Sequence, residues 1–89
     1  MVVLFDKSFL HDIRKINDAK LKLRIGTVIQ SIEKAASLNE IKNPGKMKGH
    51  ASAYRIRAEE YRIGLFKEKE VIKLVRILHR KDIYTFFPL

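Results

Sequence analysis

The sequence predicts an α+β domain in which a two-helix hairpin packs on one face of a small antiparallel sheet. Three observations predict it. Residues 54–66 alternate polar and apolar on either side of Glu59-Glu60, the pattern of a tight antiparallel hairpin. Phe9, Ile13 and Ile16, and then Leu21, Ile25, Val28, Ile29 and Ile32, recur at helical spacing. Residues 71–78, Val-Ile-Lys-Leu-Val-Arg-Ile-Leu, are the most apolar run in the chain and read as a strand covered on both faces for much of its length.

Taken in order, Val2 to Phe5 is a short β-branched and aromatic run, a strand. Asp6 or Ser8 can cap the first helix, and Asn17-Asp18 interrupts the helical pattern and supplies a second cap. The second helix is expected from Ala19 to about Ala36. Arg14, Lys15, Lys20, Lys22 and Arg24 read as its solvated face and that of the helix before it. Ser37 to Gly49, centred on Asn43-Pro44-Gly45, is a loop, with Lys46-Met47-Lys48-Gly49-His50 a strand-like lead-in to the hairpin. The glycines there lack the spacing of a Walker motif. After the hairpin, Lys67-Glu68-Lys69-Glu70 is a polar turn into the apolar strand. The chain closes with His79-Arg80-Lys81-Asp82-Ile83-Tyr84 and the hydrophobic tail Thr85-Phe86-Phe87-Pro88-Leu89. Strand, helix, helix and three consecutive strands place both helices on one face of the sheet.

A two-residue loop at Glu59-Glu60 fixes the hairpin register by counting. Ala58 faces Tyr61, Arg57 faces Arg62, Ile56 faces Ile63, Arg55 faces Gly64 and Tyr54 faces Leu65. Tyr54, Ile56, Ala58, Tyr61, Ile63 and Leu65 then share one surface and form core. Arg55, Arg57 and Arg62 share the other, the face without helices, where Gly64 leaves open space. Like charges directly opposite destabilise a sheet, so folding does not ask for this arrangement. An anionic ligand does.

Composition agrees. The 89 residues are expected to form one domain, residues 1–89, with a net charge of +9. Residues 46–89 hold eleven Lys/Arg against five Asp/Glu, whereas residues 1–45 hold eight against five, so the excess lies in the half with the hairpin. Such a balance favours nucleic acid or an acidic protein as partner. With no cysteine and three widely spaced histidines, neither a disulfide, nor a thiolate site, nor a local metal motif is expected. The apolar start, Met1 to Phe5, is too short for a signal peptide, and no run approaches a membrane span. A cytoplasmic location is the default expectation, with no membrane partner.

A second cluster, His79, Arg80, Lys81, Asp82 and Tyr84, follows the last strand, and a hairpin beside that strand can bring it near the arginine face. Fixed positive charge, an imidazole and a phenol together suit stabilisation of a phosphorane-like transition state and movement of protons around it. Guanidinium groups can neutralise the developing charge without a metal.

Tyr54-Arg55-Ile56-Arg57, Tyr61-Arg62-Ile63, and His79 through Tyr84 resemble the hallmark segments of the RelE/ParE superfamily of bacterial and archaeal toxins, and Lys46 through His50 matches the usual lead-in. The resemblance covers essentially the whole chain. It implies a ribosome-dependent mRNA endoribonuclease, acting on mRNA in the ribosomal A site without a cofactor. It also implies neutralisation by an acidic antitoxin in a hetero-oligomeric complex. In this family the 2′-hydroxyl attacks the adjacent phosphate, leaving a 2′,3′-cyclic phosphate and a 5′-hydroxyl. Matching positions give Arg57 and Arg62 as transition-state clamps, Arg55 as a phosphate ligand, Arg80 as stabiliser of the transition state or leaving oxygen, and Tyr84 as the group that stacks on or orients the base. Lys46, Lys48 and Lys81 form a basic RNA-binding rim. A gyrase poison of the ParE kind and a non-catalytic basic nucleic-acid-binding domain are the alternatives.

The chain departs from the RelE prototype by carrying arginine at 55 and 57 in place of lysine, and Leu78 where glycine is often found. Arginine stays protonated and cannot serve as a general base. His79 is then the expected proton-transfer residue, with Tyr84 as the other candidate. Asp82 reads as a partner for His79 or Arg80, His11 as a surface residue, and His50 as a loop residue near the rim. Phe86, Phe87 and Leu89 read as terminal packing or antitoxin contact.

Overall fold

A computed structural model describes residues 1–41 and 44–88. Asn43 and Leu89, assigned above to a loop and to terminal packing, lie outside the described residues. The elements run in the order β1 (Val2–Phe5), α1 (Lys7–Arg14), α2 (Ala19–Lys34), a 3-10 turn (Leu38–Glu40), β2 (Gly45–Lys46), β3 (Ala53–Ala58), β4 (Tyr61–Glu68), β5 (Val71–His79) and α3 (Ile83–Phe86). The fold is the expected α+β arrangement.

The caps form as the residue types require. Asp6 accepts from the Ser8 N–H and starts α1, and Asp18 accepts from the Leu21 N–H at 3.1 Å and starts α2. Arg14, Lys15, Lys20, Lys22 and Arg24 are all exposed.

The sheet has the order β1-β5-β4-β3-β2. It is mixed, not wholly antiparallel: β1 runs parallel to β5, with Val2 opposite Val71 and Phe5 opposite Leu74, while the other ladders are antiparallel. The two helices between β1 and the later strands form the long connection that lets the chain return parallel to its start. The β3–β4 register is the one counted from the sequence, from Ala58 opposite Tyr61 to Tyr54 opposite Leu65. Glu59 makes the turn with a left-handed φ of 57°, a region that glycine or asparagine usually fills.

One face of the sheet buries Ile56, Ile63, Leu65, Ile72, Leu74 and Ile77 against Phe9, Ile25 and Ile32 of the helices. Each such side chain contributes about 1.5–3 kcal/mol of burial free energy. Tyr54 and Tyr61 pack on the edge of this core, as the alternation predicts.

Strand β5 breaks its own alternation. Gly64 lies opposite Arg76 and Leu65 opposite Leu74, so Val75 is an extra residue, a bulge. The bulge sets both Leu74 and Ile77 on the helix-bearing face. Beyond the end of β1, the exposed edge of β5 is satisfied by α1. Ser8 Oγ lies 2.6 Å from the Val75 carbonyl oxygen and also reaches Asp6 Oδ2, sharing its one proton between them, and the Ile77 N–H donates to Asp12 Oδ2 at 3.1 Å. Asp12 also takes both arms of Arg76, Nε to Oδ2 at 2.7 Å and Nη2 to Oδ1 at 3.0 Å. This hydrogen-bonded carboxylate raises the Arg76 pKa above its ordinary value. Asp12 is the one buried charged side chain among the described residues, and its three bonds are what make that burial tolerable.

The second face departs from expectation. It is not bare: α3 and the chain end fold over it, and Ile83 and Phe87 join Met47 and Ala53 in a separate small cluster, with Phe66, Val75 and Leu78 at its border. The space beside Gly64 is therefore filled. A Cβ built there would lie 2.6 Å from the Phe87 ring, so glycine is what admits that ring.

Candidate functional site

The arginine face divides into a groove and a turn cluster. In the ladder Arg55 has a glycine on each side, Gly45 in β2 and Gly64 in β4. A Cβ at Gly45 would run into the Arg55 guanidinium, and at Gly64 into Phe87. Bare backbone on both flanks thus lets the guanidinium lie across β2 and the phenyl ring lie across β4. With Phe87 docked, α3 holds Tyr84 over the same strand, and the Arg55 guanidinium carbon is 5.6 Å from the centre of the Tyr84 ring. Tyr84 itself is 61% exposed, an aromatic face held in place and open to a ligand.

Arg55, Tyr84, Phe87, Lys46, Lys48 and His50 line an open groove of about 560 Å³. Met47 between the lysines is buried and anchors this segment, its N–H donating to the Ala53 carbonyl at 2.9 Å. Gly49, with a φ of 74°, reverses the chain so that His50 turns back toward the sheet. The His50 ring rests on Phe66 with centroids 5.2 Å apart, and Phe66 rests on Phe87 at 5.2 Å. Every charged side chain that lines the groove is cationic.

The second cluster surrounds the β3–β4 turn. Arg57 and Arg62 are directly opposite, as counted from sequence. Arg62 folds back toward the turn, its Nη1 donating to the carbonyls of Glu59 at 3.0 Å and Tyr61 at 2.9 Å. Arg57 is exposed. Arg80 continues the β4–β5 ladder, its N–H donating to the Glu60 carbonyl at 2.8 Å, and its Nε lies 3.1 Å from Glu60 Oε2. That pair is more than half exposed and contributes little to stability, at most about 1 kcal/mol. Arg55 and Arg57, two residues apart on one strand face, join groove to turn over roughly 7 Å.

His79 is not brought to this surface. Its ladder partner is Tyr61, on the helix-bearing face, and the two rings meet edge-on at 5.7 Å. Its Nδ1 accepts the Lys81 N–H at 3.1 Å, so that nitrogen is occupied as an acceptor. The expectation that His79 shares a pocket with the arginines and Tyr84 is corrected on this point: His79 lies opposite Tyr61, and Tyr61 and Arg62 are neighbours in β4 whose side chains point to opposite faces. Asp82 does not orient His79 through its side chain; its N–H donates to the His79 carbonyl instead. Lys81 is exposed in the turn before α3. Phe87 is core, while Phe86 is largely exposed with its ring 5.8 Å from the Arg76 guanidinium carbon. His11 is exposed, as expected.

Sequence reasoning set His50 as a loop residue near the rim, where it lines the groove, and passed over Asp12 and Arg76. The signal for His50 was its place directly after the Lys46–Gly49 run that leads into the arginine strand. For Asp12 it was an acidic residue one turn from Phe9, on the apolar side of a helix.

Fold and site together define a small cationic domain that offers guanidinium groups and an exposed tyrosine on one sheet face. The sequence matches the family model described as "ParE toxin of type II toxin-antitoxin system, parDE" over residues 3–84, and the chain belongs to that family. It is 39% identical over 89 residues to Toxin RelE3 of Methanocaldococcus jannaschii, covering 99% of this chain and 100% of that one. Its fold matches the crystal structure of the RelB-RelE antitoxin-toxin complex from Methanococcus jannaschii with a TM-score of 0.78 and 37% identity, covering 96% of this chain and 99% of that chain. The YoeB dimer from Staphylococcus aureus shares the fold at a TM-score of 0.71 and 23% identity, covering 90% of this chain and 97% of that chain.

Proposed function

We propose that this toxin cleaves mRNA by attack of a ribose 2′-hydroxyl on the adjacent phosphate, with Arg57 and Arg62 holding the non-bridging oxygens and Arg80 beside the leaving oxygen. The observation that carries the reading is the charge arrangement of the hairpin: two arginines directly opposite on an exposed face, with a third clasped to an exposed tyrosine. That arrangement costs folding free energy, and a bound phosphodiester offsets the cost. Fixed guanidinium donors aimed at developing negative charge stabilise a pentavalent phosphate without giving up a proton. Arg55 binds a flanking phosphate, Tyr84 stacks on a base, and Lys46, Lys48 and Lys81 supply rim charge.

The natural partners are then two. One is mRNA in the A site of a ribosome. The other is an acidic antitoxin that covers the cationic face; a chain 37% identical over nearly its full length is seen in a RelB-RelE antitoxin-toxin complex. The net charge of +9 fits both. The test is a reconstituted translation reaction. mRNA should be cut to products ending in 2′,3′-cyclic phosphate, and Arg62→Ala and Arg80→Ala should each lower the rate about a hundredfold or more. Intact mRNA with wild-type protein, or unchanged cleavage in both variants, would overturn the reading. The family match to ParE favours a second reading, inhibition of DNA gyrase. Loss of supercoiling by purified gyrase together with intact mRNA would select it.

A further inference from the structure

A single turn joins the end of β5 to α3, and it contains Arg80, the residue proposed above to stand beside the leaving oxygen. Its residues Arg80, Lys81 and Asp82 are all exposed, and none belongs to either core cluster. Asp82 precedes α3 without a side-chain capping bond. Backbone groups therefore set the shape of the turn, and two of them converge on His79. Its Nδ1 accepts the Lys81 N–H at 3.1 Å, and its carbonyl accepts the Asp82 N–H at 2.8 Å. The Arg80 N–H is tied to the Glu60 carbonyl at 2.8 Å. α3 has anchors of its own, since Ile83 and Phe87 are buried in the second cluster. What is left to the turn is the direction of Arg80.

The imidazole is well placed to hold that turn. It is half-buried and set edge-on against Tyr61, its partner across the β4–β5 ladder, with ring centroids 5.7 Å apart. A side-chain acceptor that takes the N–H two residues on is the pattern of an Asx turn, made here by histidine in place of asparagine or aspartate. The bond requires a neutral ring with its proton on Nε2.

We propose that His79 is a positioning residue of the RNA-cleaving reaction: by accepting the Lys81 N–H it fixes the turn that aims Arg80 at the leaving oxygen. Its ring is on the helix-bearing face, so its effect reaches the opposite face through the backbone of the turn. Arg80 meets charge that develops only in the transition state. Loss of the bond should therefore lower the rate and leave binding in place.

The proposal rests on the RNA-cleaving reading, and its test separates the two. Single-turnover cleavage of mRNA on programmed ribosomes is measured for wild type, His79→Leu and His79→Asn. Leucine keeps an apolar contact for Tyr61 and removes the acceptor, whereas asparagine supplies Oδ1 as acceptor and removes the imidazole. Hydrogen exchange at the Lys81 amide follows the bond itself, and denaturant unfolding shows that each variant is folded. His79→Leu should lose about tenfold or more in rate, with half-saturation within a few-fold of wild type and faster exchange at Lys81. His79→Asn should return both rate and protection to near the wild-type values. An asparagine variant as slow as the leucine variant overturns the positioning role. A wild-type rate in His79→Leu also overturns it and leaves the nuclease reading standing. Absence of cleavage by the wild type overturns both.

Discussion

The two faces of the sheet are built from the same strands by opposite rules. On the helix-bearing face, buried isoleucine and leucine from β3, β4 and β5 meet Phe9, Ile25 and Ile32 in one continuous core. On the other, a separate cluster of four buried residues and a short helix pack against the sheet, and Arg55, Arg57 and Arg62 lie beside them. The first face holds the fold. The second gives up cohesion, pairing like charges at Arg57 and Arg62 and seating an aromatic ring on a glycine, and what it gains is a cationic surface with an exposed tyrosine. Core and cationic surface are thus separated by the pleat of a single hairpin.

If the division is real, damage to the helix side should cost stability and spare the site. Asp12→Ala leaves the Arg76 guanidinium and the Ile77 N–H without their partner in a largely buried polar contact. Removing one member of a buried pair costs about 3–5 kcal/mol. Denaturant unfolding should show that loss, with RNA affinity per folded molecule unchanged. A variant that loses affinity while keeping its stability would break the comparison.

Damage to the thin face should do both. Gly64→Ala places a methyl group against the Phe87 ring, and the ring must move. Overpacking of this kind costs about 1–3 kcal/mol. Because Phe87 follows α3 directly, Tyr84 should leave Arg55, and cleavage should fall by more than the stability loss explains. A restoring second change, Phe87→Leu, should recover part of the stability but not the tyrosine geometry.

A smaller effect of opposite sign is expected at the hairpin. Arg57→Gln removes the like charge facing Arg62 and should stabilise the fold by about 0.2–1 kcal/mol while weakening RNA binding and its salt dependence. Gain in one quantity and loss in the other, measured on the same variant, is the sharpest form of the comparison.

The smallest is a pH effect on the helix side. Ser8, through its hydroxyl and then its N–H, holds the Asp6 carboxyl below its usual pKa of 3.8, with Lys73 adding to the shift. A pKa depressed in the folded state contributes stability above the unfolded value, and that stability disappears as pH falls through the folded value. Acid unfolding should therefore steepen below about pH 4, and Asp6→Asn should flatten that limb.

The hairpin register was readable in the sequence, down to Arg57 facing Arg62, because a period of two and a two-residue turn fix pairing by counting and need no information from elsewhere. The helices, their Asp6 and Asp18 caps and the apolar strand were readable for the same reason, each being a local pattern. The tertiary structure decided what counting cannot reach. It turned β1 parallel to β5, inserted the Val75 bulge that carries Ile77 to the core side, and joined Asp12 to Arg76 across 64 positions of sequence. It also laid Phe87 on Gly64, which the sequence left as open space, and so brought Tyr84 to Arg55 and His50 into the same groove while leaving His79 on the far side. Those choices depend on which distant side chain fills which vacancy, and close packing settles that only when the whole chain is in place.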